Sequence, residues 1–192
     1  CAAGVYLHGR DRIAESLEYY SVADAINAQL PHSPLSVESC FRMSGHAHLN
    51  QGRLHTALEN LDRSWKIHEL HGRQTSRHGY ATCGMRASTH LRLGAIDAAR
   101  RTLDACPAND RALESLPRTQ AQAELHFLCA EFEEAGSLAA ALRERHPPLS
   151  RRGTWMRPWM LSLLLAHDTG DAAALAALAA ELEFGFPVYQ TR

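Results

Sequence analysis

A glycine with a fixed set of neighbours recurs along this chain, and that recurrence limits the fold more than any other feature. Around Gly52 the chain reads GHAHLNQGRLHTALENL, with a small residue seven positions before the glycine, an apolar residue two after it and alanine five after it. The pattern is anchored again at Gly9, Gly94, Gly136 and Gly170, giving intervals of 43, 42, 42 and 34 residues. Five positions after each glycine stand Ala14, Ala57, Ala99, Ala141 and Leu175, and seven before stand Ala2, Gly45, Ala87, Cys129 and Leu163. A glycine can end a helix in the left-handed region that other residues enter only at a steric cost. The chain then turns back, and the small residues on either side let the two helices approach closely. Apolar residues at three- and four-residue spacing (Leu54, Leu58, Leu61, Trp65) complete the buried stripe of the returning helix. Each repeat is therefore read as a helical hairpin that covers its remaining apolar face by stacking on its neighbours.

The punctuation agrees with that reading. Pro31 and Pro34 separate the first two hairpins, Gly72 and Gly79 the next, then Pro107, then Pro147-Pro148, while Pro117 is expected to break the long first helix of the fourth repeat. Helices are expected near residues 2–8, 11–29, 36–51, 54–71, 74–93, 96–106, 110–135, 138–146, 154–169 and 171–184, with no strand. The repeats span about 1–30, 36–72, 74–107, 109–147 and 153–185 of one all-α repeat domain. Ala2, Ala3, Val5 and Tyr6 do not form the polar cap that a solenoid end needs, so a fragment of a longer protein is expected.

Composition removes several functions. Hydrophobic residues make up 45% of the 192 and charged residues 21%, which excludes a disordered chain. Twenty basic side chains, all arginine except Lys66, face 21 acidic ones, so binding nucleic acid through a broad basic surface is not expected. No apolar run approaches the roughly 18 residues of a membrane span. Five widely spaced cysteines (Cys1, Cys40, Cys83, Cys106, Cys129) with no CxxC pair point to reduced thiols and a cytoplasmic location.

The segment GHAHLNQGRLHTALENL resembles the core of a tetratricopeptide repeat, with Phe41 matching the leading aromatic, Ala57 the second-helix alanine, and Trp159 the aromatic of the fifth hairpin. The resemblance covers almost the whole chain, with the second repeat nearest the consensus. The spacing of about 42 is similar to the longer variety found in kinesin-light-chain-like arrays and in maltose-regulator-like transcription activators. The resemblance implies a right-handed superhelical α-solenoid of about five hairpins whose first helices line a concave face. It places Arg42, His46, Leu49 and Asn50 there from repeat two, and Ser88, Leu91 and Arg92 from repeat three. Repeat four adds His126, Ala130, Glu133 and Glu134, and repeat five Met160, Leu164, His167 and Asp168. Such a groove suits an extended peptide, a partner helix or a small effector. The implied role is the sensor or interaction region of a larger bacterial transcriptional regulator, with self-association as a further expectation. A free-standing scaffold or assembly chaperone is the alternative.

Enzymatic chemistry finds little support in the residues. Neither a GxSxG elbow nor a phosphate-cradling glycine loop is present, and Cys83 and His90 lie two helical turns apart, too far for a nucleophile–base pair. His68, His71 and His78 form the one group that invites a metal reading, as a histidine-metal enzyme. Only the first two are guaranteed proximity, whereas zinc needs three or four converging ligands. No cofactor and no catalytic residue are expected.

Overall fold

A computed structural model describes residues 2–8, 10, 12–27, 34–106, 115–145 and 157–185. Among them the chain is entirely helical: α1 (Ala2–His8), α2 (Ile13–Asn27), α3 (Pro34–Asn50), α4 (Leu54–Leu70), α5 (Arg77–Arg92), α6 (Ile96–Asp104), α7 (Leu116–Leu128), α8 (Phe132–Arg145), α9 (Arg157–Asp168) and α10 (Ala172–Gly185). The expected turn at Gly9 and the junctions at Pro31, Pro107 and Pro147-Pro148 lie outside the described residues. No described helix is long and apolar enough to cross a membrane.

The chain divides into two compact units, residues 1–121 and 122–192. In the first, each of α1 to α6 packs on the next, and α3 also touches α5. Its core is built from Tyr20, Ala47, Ala57, Leu61, Tyr80, Ala87 and Ala99. At Gly45 the small residue before the turn does what its position predicts, whereas Ala2, seven before Gly9, is exposed. A Cβ at Gly45 would lie 2.7 Å from the Leu61 side chain, so α3 and α4 meet here only because residue 45 has none. In the second unit α8 packs on α9 and α9 on α10. Ala123, Ala135, Ala139, Leu161 and Leu165 form one apolar cluster, and Trp159, Ala166 and Leu178 another.

Five helix ends share one hydrogen-bond pattern. The amide of Gly52 donates to the Leu49 carbonyl, and that of Arg53 to His48; the same pair of bonds closes the turns at Gly72, Gly94, Ala130 and Gly170. This is the glycine-type C-terminal cap, which satisfies carbonyls the helix leaves unpaired. The four glycines have φ between 61° and 74°, as the cap requires, and Ala130 adopts φ 60°.

Ala130 corrects the expected register of the fourth repeat. The glycine pattern predicts the turn at Gly136, but that residue sits inside α8 with open space around its Cβ position. Anchored at Ala130, the recurrent pattern places Ala123 seven before and Ala135 five after, and both are fully buried in one cluster. Packing of that alanine pair decides the turn, and residue 130 bears the left-handed strain. Pro117 stands in the first turn of α7, where a missing amide costs nothing; the stretch before Ser115, through which the expected longer helix would run, lies outside the described residues.

Two substitutions test the corrected register. Ala130→Gly removes the left-handed strain and Gly136→Ala removes helix-interior flexibility, so each is expected to stabilise by about 0.5–1 kcal/mol. A turn at Gly136 predicts that Gly136→Ala destabilises; thermal unfolding of the two variants separates the cases.

The cysteines also differ from expectation. Cys40 is disulfide-bonded, whereas Cys83, Cys106 and Cys129 remain thiols, so uniformly reduced cysteines do not describe this chain.

Candidate functional site

The first helices of successive hairpins bring several of the expected residues together on one face of residues 1–121. The His8 ring, at the end of α1, lies 4.7 Å from the His46 ring of α3, tilted by 32°. The Asn50 amide nitrogen, one helical turn beyond His46, lies 3.4 Å from His8 Nε2 and 3.5 Å from His46 Nε2. Arg92, which holds the same position relative to Gly94 that Asn50 holds relative to Gly52, donates from Nη1 to the Leu49 carbonyl at 3.0 Å. A guanidinium at a helix C-terminus suits the partial negative charge there. The His46 imidazole is pushed down to about 3, by burial first and then by the positive charge of His8, Arg42 and Arg92. It is therefore neutral at ordinary pH, with one ring nitrogen a donor and the other an acceptor.

Arg42, expected on this face, is directed onto a buried carboxylate. Its Nε lies 3.1 Å from Glu38 Oε1 and its Nη2 donates to Ser39 Oγ. Glu38 is 0% exposed. Ser64 Oγ donates to Glu38 Oε1 at 3.0 Å, His68 Nε2 approaches the same oxygen to 3.2 Å, and His78 Nδ1 lies 3.7 Å from Oε2. Ser64 is itself 3.2 Å from the Thr82 hydroxyl. Burial pushes the Glu38 carboxyl up, but His68, Arg42 and Ser64 outweigh it and hold the group below its usual range. Burial, and then Arg42, lowers the His78 imidazole. This network joins α3, α4 and α5, with Glu38 two helical turns before His46 on α3. It brings two of the three histidines considered for metal next to one carboxylate and leaves His71 exposed outside it. Among the described residues no group of three or more His, Cys, Asp or Glu is arranged to hold a metal ion.

The remaining expected residues fall in different places. Leu49, Ser88 and Leu91 are buried between helices, so their side chains support the face and do not line it. In the second unit His126, Glu133 and Glu134 share a shallow pocket of about 390 Å³ with Gln122, Ser137 and Leu138. His126 Nδ1 bonds Glu131 in the turn that Ala130 makes. Glu133 and Glu134 lie in the first turn of α8, where carboxylates favour the helix dipole. With the turn at Ala130, the positions equivalent to His46 and Asn50 become Glu124 and Leu128. Met160 and Leu164 are exposed on α9, and His167 pairs with Asp168 at its end, 3.0 Å apart.

Two features escaped the sequence reading. Glu38 stands one helical turn before Arg42, a spacing that was available as a signal, but its partners on α4 and α5 were not. A cleft of about 690 Å³ spans α2, α3 and α4, with Glu18, Asp24, His48, Arg53 and Arg63 in its walls.

Compared with family models, with curated proteins and with solved structures, the chain matches none.

Proposed function

We propose that this chain is a non-catalytic binding module of the tetratricopeptide-repeat kind, whose α1–α3–α5 face takes an extended acidic peptide. The observation that carries this reading is the convergence of His8, His46, Asn50 and Arg92 from three first helices onto one surface. The two rings, the amide and the guanidinium supply hydrogen-bond donors and one fixed positive charge. That set suits carboxylates and peptide carbonyls along an extended chain. The Glu38 network, toward the other end of α3 and α5, links the supporting helices, as a preorganised site requires. Exposed apolar side chains on the first hairpin (Val5, Tyr6, Tyr19, Val22 and Ile26) support contact with a further protein surface. In this reading the module is the sensor or interaction region of a larger regulator of the maltose-regulator-like type.

An immobilised peptide array comparing acidic, neutral and basic sequences provides the test. Acidic peptides should be retained, and Arg92→Glu should weaken them by about tenfold or more, as loss of a charge-assisted contact implies. Arg53→Glu makes the same charge change at the α2–α4 cleft and should leave retention unchanged. Equal losses in both variants, or no preference for acidic peptides, would overturn the reading.

A further inference from the structure

A cleft of about 530 Å³ between α4, α5 and α6 receives one nitrogen-bearing side chain from each helix: Lys66, His90 and Arg101. Among the described residues none of these three side chains has a hydrogen-bond or ion-pair partner. The two carboxylates of the cleft are, in contrast, both engaged. Asp62 Oδ1 accepts from Arg86 Nε at 2.7 Å, and Glu69 Oε1 accepts from the Trp65 indole nitrogen at 2.8 Å. The Arg86 guanidinium also lies over the Trp65 ring, 5.4 Å from its centroid. These contacts tie Asp62, Trp65, Glu69 and Arg86 into one wall, in which the indole is buried. His90 stands two residues before Arg92 on α5, a spacing that directs the two side chains to different sides of the helix. The cleft is therefore separate from the face that carries Arg92.

We propose that this cleft binds a phosphomonoester of a small organic molecule, with Lys66, His90 and Arg101 on the phosphate oxygens. Three cationic side chains (Lys66, Arg86 and Arg101) face two carboxylates there, so the balance favours an anion. Asp62 and Glu69 are turned onto partners of their own, which limits their repulsion of it. A phosphomonoester presents three terminal oxygens and nearly two negative charges at neutral pH, whereas a carboxylate presents two oxygens and one charge. Donors arriving from three helices match the former. The guanidinium can take two oxygens at once and the ammonium acts as a point charge. His90 adds a donor without adding charge. Burial first, and then Arg86, hold its imidazole below the ordinary value, so one ring nitrogen donates.

The size of the cleft argues for an ester over the bare ion. Its volume falls within the roughly 300–1,000 Å³ of small-molecule sites. Trp65, Ala98 and Ala105 line the part that the three donors leave over, and they give an organic group an apolar surface. The wall is fixed before a ligand arrives, because the indole is held both at its nitrogen and on its face.

Lys66 is the only lysine of the chain, which gives the site its own reporter. Reductive methylation of the full chain with isotope-labelled formaldehyde keeps the lysine charge and yields one lysine signal by NMR, distinct from that of the terminal amine. Phenyl phosphate should shift that signal along a saturable curve. Inorganic phosphate lacks the ring, and benzoate carries the ring on a carboxylate; each should bind about tenfold more weakly. Arg101→Gln should weaken phenyl phosphate about tenfold, and calorimetry on Lys66→Gln should read a similar loss. Both residues are exposed, so neither change removes a core group. Arg53→Gln, the same kind of change at the α2–α4 cleft, should leave the affinity unaltered. No saturable shift, or a shift that Arg101→Gln leaves intact, would overturn the proposal. Equal affinity for inorganic phosphate would reveal an adventitious ion only, and equal affinity for benzoate would remove the preference for phosphate; each result rejects the assignment.

Discussion

Glu38→Ala is expected to destabilise the folded chain by about 3–5 kcal/mol, the cost of stripping one partner from a buried ionic cluster. The carboxylate is fully enclosed and has Arg42, Ser64 and His68 within 3.2 Å. Its removal leaves a half-buried guanidinium, an enclosed imidazole and a serine hydroxyl without their common acceptor. Glu38→Gln keeps an acceptor of the same shape and should cost roughly half as much. Urea unfolding at neutral pH measures both, and a loss under about 1 kcal/mol for Glu38→Ala would show that the carboxylate is replaced by solvent without difficulty. Acid gives an independent check. Because the folded-state value of Glu38 lies below its ordinary 4.5, the unfolded chain takes up the proton first. The contribution is complete above that value and is lost as pH falls through the lower folded one. Glu38→Gln should lack this part of the acid slope. His46 adds a loss that starts higher, since the unfolded chain protonates near 6.5 while the folded imidazole stays neutral down to about 3.

The second large effect belongs to residues 122–192. Trp159 is 1% exposed and forms a cluster with Ala166 and Leu178, with Leu163, Ala174 and Leu175 packed against it. The side chains packed around it are alanines and leucines, each much smaller than the indole. Trp159→Ala should therefore cost about 3–5 kcal/mol, and Trp159→Phe markedly less because it keeps most of the buried area. Hydrogen exchange read along α9 and α10 would locate the loss. Unchanged protection in both helices would mean that the indole is not a core group.

The turns at Gly52 and Gly94 are legible because each combines a residue that tolerates positive φ with small residues at set distances before and after it, while Gly170, flanked by Leu163 and Leu175, is legible from its glycine alone. The fourth turn is hidden from residue type because a glycine stands six residues after it, while the packing of Ala123 and Ala135 sets the turn at Ala130. Those two alanines carried the correct register in the sequence all along. The face at His46, Asn50 and Arg92 could be placed because it follows the turn spacing. Its other member, His8, belongs to a short helix with little pattern of its own. Glu38 was illegible for a different reason: its partners Ser64, His68 and His78 lie one and two helices further on, and a sequence period reports which side of a helix faces inward, not which polar groups meet there. How the start of α7 seats on Gly84 of α5 is set by packing between helices, which a sequence period does not report.

That seat has a mechanical consequence. Where side chains separate two helices, a small displacement can be absorbed by a change of rotamer. At Gly84 the backbone of Pro117 and Arg118 rests directly on α5, so no side-chain torsion is available to take up strain. A tilt or slide at the start of α7 must therefore pass into α5 as motion of a rigid rod. Arg92 lies eight residues further along that rod, about 12 Å at the helical rise. It would swing with α5, changing the grip on the Leu49 carbonyl.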